Sequence, residues 1–186
     1  REVLALLEHT GPSPVLVDFL EDAPSGGGDM SGWSCPITLP KAHDARTSEL
    51  LSLVLAEIKS LAPWHQIGVD RRGRTTSGVL GIPIEAVATF LHDVFNCVPE
   101  SPKDGVPVGQ AFRQGCEELK TFYLEAATAK PGSAKSSELA DWFWGNTAGG
   151  RLILTLHPVA LESSDEGIQQ VAISQMVPRA QKHRLG

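Results

Sequence analysis

The sequence lacks the features of a membrane protein, of a secreted disulfide-bonded protein and of a zinc-binding module. No apolar run approaches the roughly 20 residues that span a bilayer, and the first residues carry mixed charges without the cleavage site of a signal peptide. The cysteines, Cys35, Cys97 and Cys116, are widely spaced and form no C-x-x-C pair. These absences predict free thiols in a reducing cytoplasm and no membrane contact. A starting Met is also absent, which is consistent with a fragment of a longer protein.

Nucleotide and nucleic-acid motifs are missing as well. The glycine-rich segment 23–32, APSGGGDMSG, contains neither G-K-[ST] nor G-x-G-x-x-G, and no helical pattern follows it directly. The 22 acidic residues outnumber the 16 basic ones, which gives a net charge of −6. An acidic surface repels phosphates, so general nucleic-acid binding is not expected. We expect no cofactor and no metal ion.

The composition predicts one domain over residues 1–186. A chain of 186 residues with 41% hydrophobic content can bury a complete core. The segment 97–108, CVPESPKDGVPV, is rich in proline and is the best candidate for an internal boundary. It would separate an α+β front half from a helical back half.

The front half predicts a small antiparallel sheet. Residues 15–20 and 33–39 have strand composition, and residues 65–70 and 74–80 predict a hairpin joined by a charged turn that ends in Gly73. The three-and-four spacing of leucines predicts a helix over 47–61 that Pro63 ends. A second helix, over 83–96, begins at Pro83. The sequence therefore predicts an α+β fold, with these two helices packed on the sheet.

The back half predicts helices. Over residues 109–129, one face is apolar and the opposite face carries Arg113, Glu117, Lys120 and Glu125. Another helix starts at residue 137, and residues 149–157 form either its continuation or a strand; the shared apolar face favours the helix. The capping-box pattern at 163–166 opens a last helix that runs to Pro178. The basic tail beyond it is expected to fray.

Two His-Asp pairs, His43-Asp44 and His92-Asp93, are the first candidates for catalysis. An adjacent His and Asp on a helix resembles the kernel of the metal-dependent phosphohydrolases called HD-domain proteins, whose metal activates water. The resemblance covers two residues; it implies an all-helical fold and further ligands, for which His65 and Asp141 are the nominal candidates. The alternative is that His92 and Asp93 belong to a solvated helix face.

Arg71, Arg72 and Arg74 form the densest basic cluster of the sequence. Guanidinium groups on a protruding turn can clamp a small anion or an acidic partner. No aromatic residues are interleaved with them, so binding to single-stranded nucleic acid is not indicated. The alternative is a solvated turn that keeps an exposed loop soluble.

The consecutive aromatic residues Trp142, Phe143 and Trp144 span about 200° of a helix surface. At least one of them must therefore meet a second element, a ligand or a partner, and Trp142 and Trp144 are candidates for a binding patch. The alternative is a helix between two layers of its own domain. The three cysteines are interpreted as inert thiols.

These features favour an accessory or partner-binding module in the cytoplasm, without catalytic activity. It would bind a protein partner, or a second copy of itself, through the arginine turn and the aromatic helix. The competing hypothesis is an enzyme: a metal-assisted hydrolase built around His65, His92 and Asp93.

Overall fold

The computed structural model describes residues 47–132 and 134–185, and this part of the chain is helical. Its elements are α1 (Thr47–Arg72), α2 (Ile84–Asp93), α3 (Val108–Ala129), α4 (Ser136–Asn146), α5 (Ala148–Leu161), α6 (Glu166–Ser174) and a 3-10 helix (Arg179–Arg184). None of the described residues forms a strand. The predicted α+β fold is therefore wrong for this part of the chain. The segments 15–20 and 33–39, which were predicted to be strands, lie outside the described residues, as does the His43-Asp44 pair.

The predicted hairpin over 65–80 is wrong because α1 does not end at Pro63. A proline inside a helix removes one backbone hydrogen bond and costs roughly 3 kcal/mol. Pro63 lies on the exposed side of α1, where water can bind the carbonyl group that the proline leaves without a donor. Beyond Pro63, the buried face that contains Ile58 and Leu61 continues through the buried Gly68. Packing of this face against α3 outweighs the local cost.

Gly73 has the positive φ predicted for it, but it ends a helix instead of a hairpin turn. Its φ is 67°, and its N–H donates to the carbonyl oxygen of Val69 at 2.7 Å. Glycine adopts this left-handed conformation without steric cost, and it is the usual residue just after a helix. The chain then runs as an irregular loop from residue 73 to the start of α2.

Helix α3 is the centre of the structure and contacts each of the other five α-helices. Its face with Phe112, Leu119 and Tyr123 is completely buried. One hydrophobic cluster includes residues from all six α-helices. At the start of α3, Gly109 crosses Gly167 so closely that a Cβ on Gly109 would lie 2.5 Å from the Gly167 carbonyl carbon. The predicted boundary at 97–108 falls in the irregular connection between α2 and α3 and stays a prediction.

The back half is helical as predicted, with different helix ends. Residues 149–157 are helical, but α5 is a separate helix because Thr147 interrupts the chain with extended backbone and caps α5 by accepting from the Gly150 N–H. Helix α6 is capped by Asp165, not by Ser163, and ends at Ser174. The tail was predicted to fray, yet it forms a 3-10 helix on α4, where Arg184 and Gln181 donate to Asp141. No helix in the described ranges is both long and apolar enough to cross a membrane.

Candidate functional site

Two buried glutamates on α3 position the loop that follows α1 and its terminal arginines. Glu118 and Glu125 are seven residues apart, so they share one face of the helix, and they are 3% and 8% exposed. The Glu118 carboxylate accepts a hydrogen bond from the Leu80 N–H at 3.3 Å. Glu125 binds the start of the same loop, at Thr75 and Thr76. The sequence pattern had assigned Glu125 to the polar face of α3, and that assignment is wrong.

The Glu125 carboxylate accepts four hydrogen bonds from two segments of the chain. Oε2 accepts from the Thr75 hydroxyl at 2.6 Å and is 3.0 Å from Nε2 of His65. Oε1 accepts from the Thr76 N–H at 3.0 Å and from the Thr76 hydroxyl at 2.9 Å. Nη2 of Arg72 lies 3.8 Å from Oε2. This network fixes the loop to α1 and α3 directly beside the arginine turn.

The electrostatics of the site keep Glu125 ionised. Burial by itself raises the pKa of a carboxyl group, because it removes water from the charged form. The hydrogen bonds from Thr75 and Thr76 and the charge of Arg72 together outweigh burial and hold the pKa of Glu125 below its ordinary value. Glu125 is therefore a negatively charged anchor at neutral pH and is not poised as a proton donor.

The arginine turn consists of Arg71, Arg72 and Arg74, all of which are exposed. Nε of Arg72 donates to the Gly68 carbonyl oxygen at 3.2 Å, and Nη2 lies close to Gly68 and 3.8 Å from Oε2 of Glu125. Within the described ranges, Arg71 and Arg74 form no ion pair. The arginine turn therefore places three guanidinium groups at the surface, two from the last turn of α1 and one from the loop that the glutamates hold in position.

A pocket of about 310 Å³ lies between the arginine turn and α3. It is lined by Arg72, Arg74, Thr76, Thr121, Leu124, Glu125 and Thr128. The lining contains two guanidinium groups, three threonine hydroxyls and the Glu125 carboxylate, and Leu124 is its one wholly apolar side chain. The structure thus brings two of the three predicted arginines to one concave site.

His65 is part of this site, but the geometry does not suit activation of a nucleophile. Its Nε2 is 3.0 Å from Glu125, 3.4 Å from the Ser77 hydroxyl and 3.5 Å from the Thr75 hydroxyl. In a catalytic triad, the histidine uses one ring nitrogen for the acid and the other for the nucleophile. Here Nε2 alone faces both the acid and the hydroxyl. Because Nε2 donates its proton to the charged Glu125, it has no free lone pair with which to accept a proton from Ser77. His65 therefore acts as a further donor to Glu125.

The structure does not join the other predicted catalytic residues to His65 in a ligand set. The His92 ring of α2 packs edge-on against Phe95, which lies just after this helix, and Asp93 is exposed. Over residues 47–132 and 134–185, no group of three or more His, Cys, Asp or Glu side chains could hold a metal ion. The described part of the chain therefore provides no metal site for the hydrolase hypothesis, which stays a prediction.

The aromatic helix is buried. Trp142 and Trp144 are 7% and 4% exposed, and Phe143 is fully buried. Trp142 and Phe143 both pack against Tyr123 of α3, with ring centroids 6.3 Å and 5.5 Å apart. The indoles pack within the core of the same domain. This agrees with the alternative interpretation of a helix that lies between two layers of its own domain. They present no aromatic surface patch and do not enter the proposed site.

Sequence reasoning also missed a third buried carboxylate, Glu57. It accepts hydrogen bonds from the Tyr123 hydroxyl at 2.8 Å and from the N–H groups of Ala148 and Gly149 at the start of α5. Burial raises the pKa of Glu57, although these hydrogen bonds oppose the change. A negative charge at a helix N-terminus is favourable, so Glu57 joins α1, α3 and α5. The signal in the sequence was an acidic residue among the leucines of the α1 apolar face.

Comparison with protein-family models, with curated proteins and with solved structures found no match.

Proposed function

We propose that this chain is a non-catalytic partner-binding module that uses the arginine turn to bind an acidic segment of a protein partner. The observation that carries the proposal is the fixed turn. Its guanidinium groups lie at the surface beside a pocket, and Glu125 and Glu118 hold the loop that follows. A preordered loop loses little conformational entropy on binding, which favours affinity.

The charge distribution supports an acidic partner. The chain has a net charge of −6, so the arginine turn is a local basic patch on an otherwise acidic protein. Complementary charge steers association and selects partners, whereas like charge excludes them. The proposal retains the turn from the original prediction and omits Trp142 and Trp144, because both are buried.

We also propose that the protein works in the cytoplasm. Cys97 is exposed and carries a free thiol, and Cys116 is a free thiol in the core. Burial raises the pKa of Cys116 to about 12, so this thiol stays protonated and inert. Free thiols of this kind are typical of reducing compartments.

The test is binding of a fluorescent oligoglutamate peptide, measured by anisotropy at low and at physiological salt. In the double variant Arg71→Ala plus Arg72→Ala, we expect normal folding by circular dichroism and a loss of affinity of about tenfold or more. Binding by the unmodified protein should weaken as salt is added, because exposed charges are screened.

The matched control is Arg179→Ala plus Lys182→Ala, which removes the same charge from exposed positions of the 3-10 helix. We expect its affinity to stay within about twofold of the unmodified protein. Equal losses in both double variants would mean that the peptide senses net charge only, and the proposal would fail. Light scattering on the same samples shows whether the partner is a second copy of the chain.

A further inference from the structure

We propose that the pocket beside the arginine turn receives a phosphate monoester carried by a side chain of the partner. The inference rests on the proposed function and specifies the group that enters the pocket. The supporting observation is that several hydrogen-bond donors in the pocket lining have no acceptor within the described part of the protein.

The terminal N–H groups of Arg72 do not form hydrogen bonds with Glu125. An ionised carboxylate offers about four acceptor positions, and Glu125 fills them with the hydroxyls of Thr75 and Thr76, the Thr76 N–H and His65. Nη2 of Arg72 stays at 3.8 Å, beyond ordinary hydrogen-bond distance. The guanidinium offsets the charge of Glu125 while its terminal N–H groups remain available to a ligand.

Arg74 and Thr121 supply the other donors. Arg74 lines the pocket and forms no ion pair within the described ranges, so all five of its N–H groups are available. Thr121 contributes a hydroxyl from α3 that forms no side-chain hydrogen bond within the described residues. The hydroxyls of Thr76 and Thr128 already donate to Glu125. The unused donors therefore come from both the turn and the helix.

This arrangement suits a phosphate better than a carboxylate. One guanidinium fork is enough for a planar carboxylate, whereas a phosphate ester presents three acceptor oxygens in different directions. Donors on two separate elements can meet these oxygens together. A volume of about 310 Å³ is roughly ten times the volume that a water molecule occupies in the liquid, about 30 Å³. The pocket therefore has room for the phosphate and for the carbon chain that carries it, which Leu124 can contact.

The experiment compares three short peptides of one sequence that differ only at the central position: phosphoserine, glutamate or serine. We expect the phosphoserine peptide to bind about tenfold more tightly than the glutamate peptide, measured by calorimetry on the full chain. Inorganic phosphate should displace it at lower concentration than inorganic sulfate at equal ionic strength. Displacement by inorganic phosphate with no preference among the peptides would place the anion in the pocket without a partner, and would overturn the inference.

Three substitutions test the geometry. Arg74→Gln should abolish the preference for phosphoserine, and Arg74→Lys should restore only part of it, because an ammonium group keeps the charge without the fork. Thr121→Val removes one donor at nearly constant volume and should weaken phosphoserine binding several-fold. Arg179→Gln is the control outside the pocket and should change nothing. Circular dichroism confirms that each variant folds.

The outcomes separate the two proposals. Equal, arginine-dependent binding of the glutamate and phosphoserine peptides would leave the partner-binding function in place and overturn the phosphate pocket. If no peptide binds, both fail. A phosphoserine preference that survives in Arg74→Gln would place the phosphate elsewhere on the protein and would also overturn the inference.

Discussion

Single residues at the candidate site act through hydrogen bonds whose donors and acceptors lie far apart in the sequence. Glu125 accepts from Thr75 and Thr76, which lie about 50 positions earlier in the chain, and Glu57 accepts from the Ala148 N–H, which lies 91 positions later. Donors replace part of the water that both carboxylates lose. They outweigh burial at Glu125, whose pKa is lowered, but not at Glu57, whose pKa is raised. The loop before α2 thus depends on Glu125 and Glu118, and the start of α5 depends on Glu57.

We expect Glu125→Gln to lower the free energy of unfolding by about 1.5–3 kcal/mol at neutral pH, because an amide cannot accept all four hydrogen bonds and loses the charge that strengthens them. Urea unfolding measures the change. The control is Glu117→Gln, since Glu117 is exposed and pairs only with Lys120 at the surface; its effect should stay within about 0.5 kcal/mol.

The same pair of proteins gives a pH test. The pKa of Glu125 is lower in the folded state than in the unfolded chain, so its contribution is complete above the unfolded value of about 4.3 and is lost as the pH falls through the folded value. The stability difference between the unmodified protein and Glu125→Gln should therefore shrink between about pH 6 and pH 3. A difference that stays constant over this range would contradict the ionised anchor.

At the scale of elements, α1 shows how packing overrides a local helix breaker. Pro63 costs one backbone hydrogen bond, but the helix continues and carries His65 to Glu125 and Arg72 to the pocket rim. An α1 that ended at Pro63 would supply neither residue to the site. By contrast, Pro83 and Pro107 lie at the N-caps of α2 and α3, where a missing N–H costs nothing.

We expect Pro63→Ala to stabilise the protein by about 1–3 kcal/mol, because it restores a helical N–H in the interior of α1. The matched control, Pro83→Ala, should instead destabilise it by about 0.4–1 kcal/mol, since the unfolded chain gains freedom and the helix gains no hydrogen bond. Thermal unfolding followed by circular dichroism measures both. The same sign for the two substitutions would contradict a continuous α1.

At the scale of the whole molecule, α3 lies at the centre and the aromatic helix α4 is enclosed by its neighbours. Trp142, Phe143 and Trp144 point in different directions around α4, and all three are buried. A helix can bury side chains over about 200° of its surface when it packs against several elements at once. Contacts of α4 with α3, α5 and the 3-10 helix provide these elements.

This enclosure predicts protection of both indoles from collisional quenchers. In a variant with Trp33→Phe and Trp64→Phe, we expect blue-shifted emission and quenching by acrylamide several-fold weaker than in the urea-unfolded chain, because water and quencher reach neither ring. The peptide of the binding test should leave this emission unchanged. Efficient quenching of the folded variant would show that at least one indole is exposed, and would contradict the enclosure of α4.

The sequence by itself determined the helices with clear apolar periodicity, α2 and α3, and it favoured a helix over a strand for residues 149–157. It also determined that Gly73 needs a positive φ, whereas the hairpin turn predicted for the arginines is wrong, because Arg71 and Arg72 end α1. These features depend on residues that are close in sequence, so local spacing and backbone sterics are sufficient. Only the tertiary structure decided that α1 continues through Pro63 and that Glu57 and Glu125 are buried. The physical reason is that these outcomes depend on partners 49 to 92 positions away in the chain, and no local pattern contains the energy of those contacts.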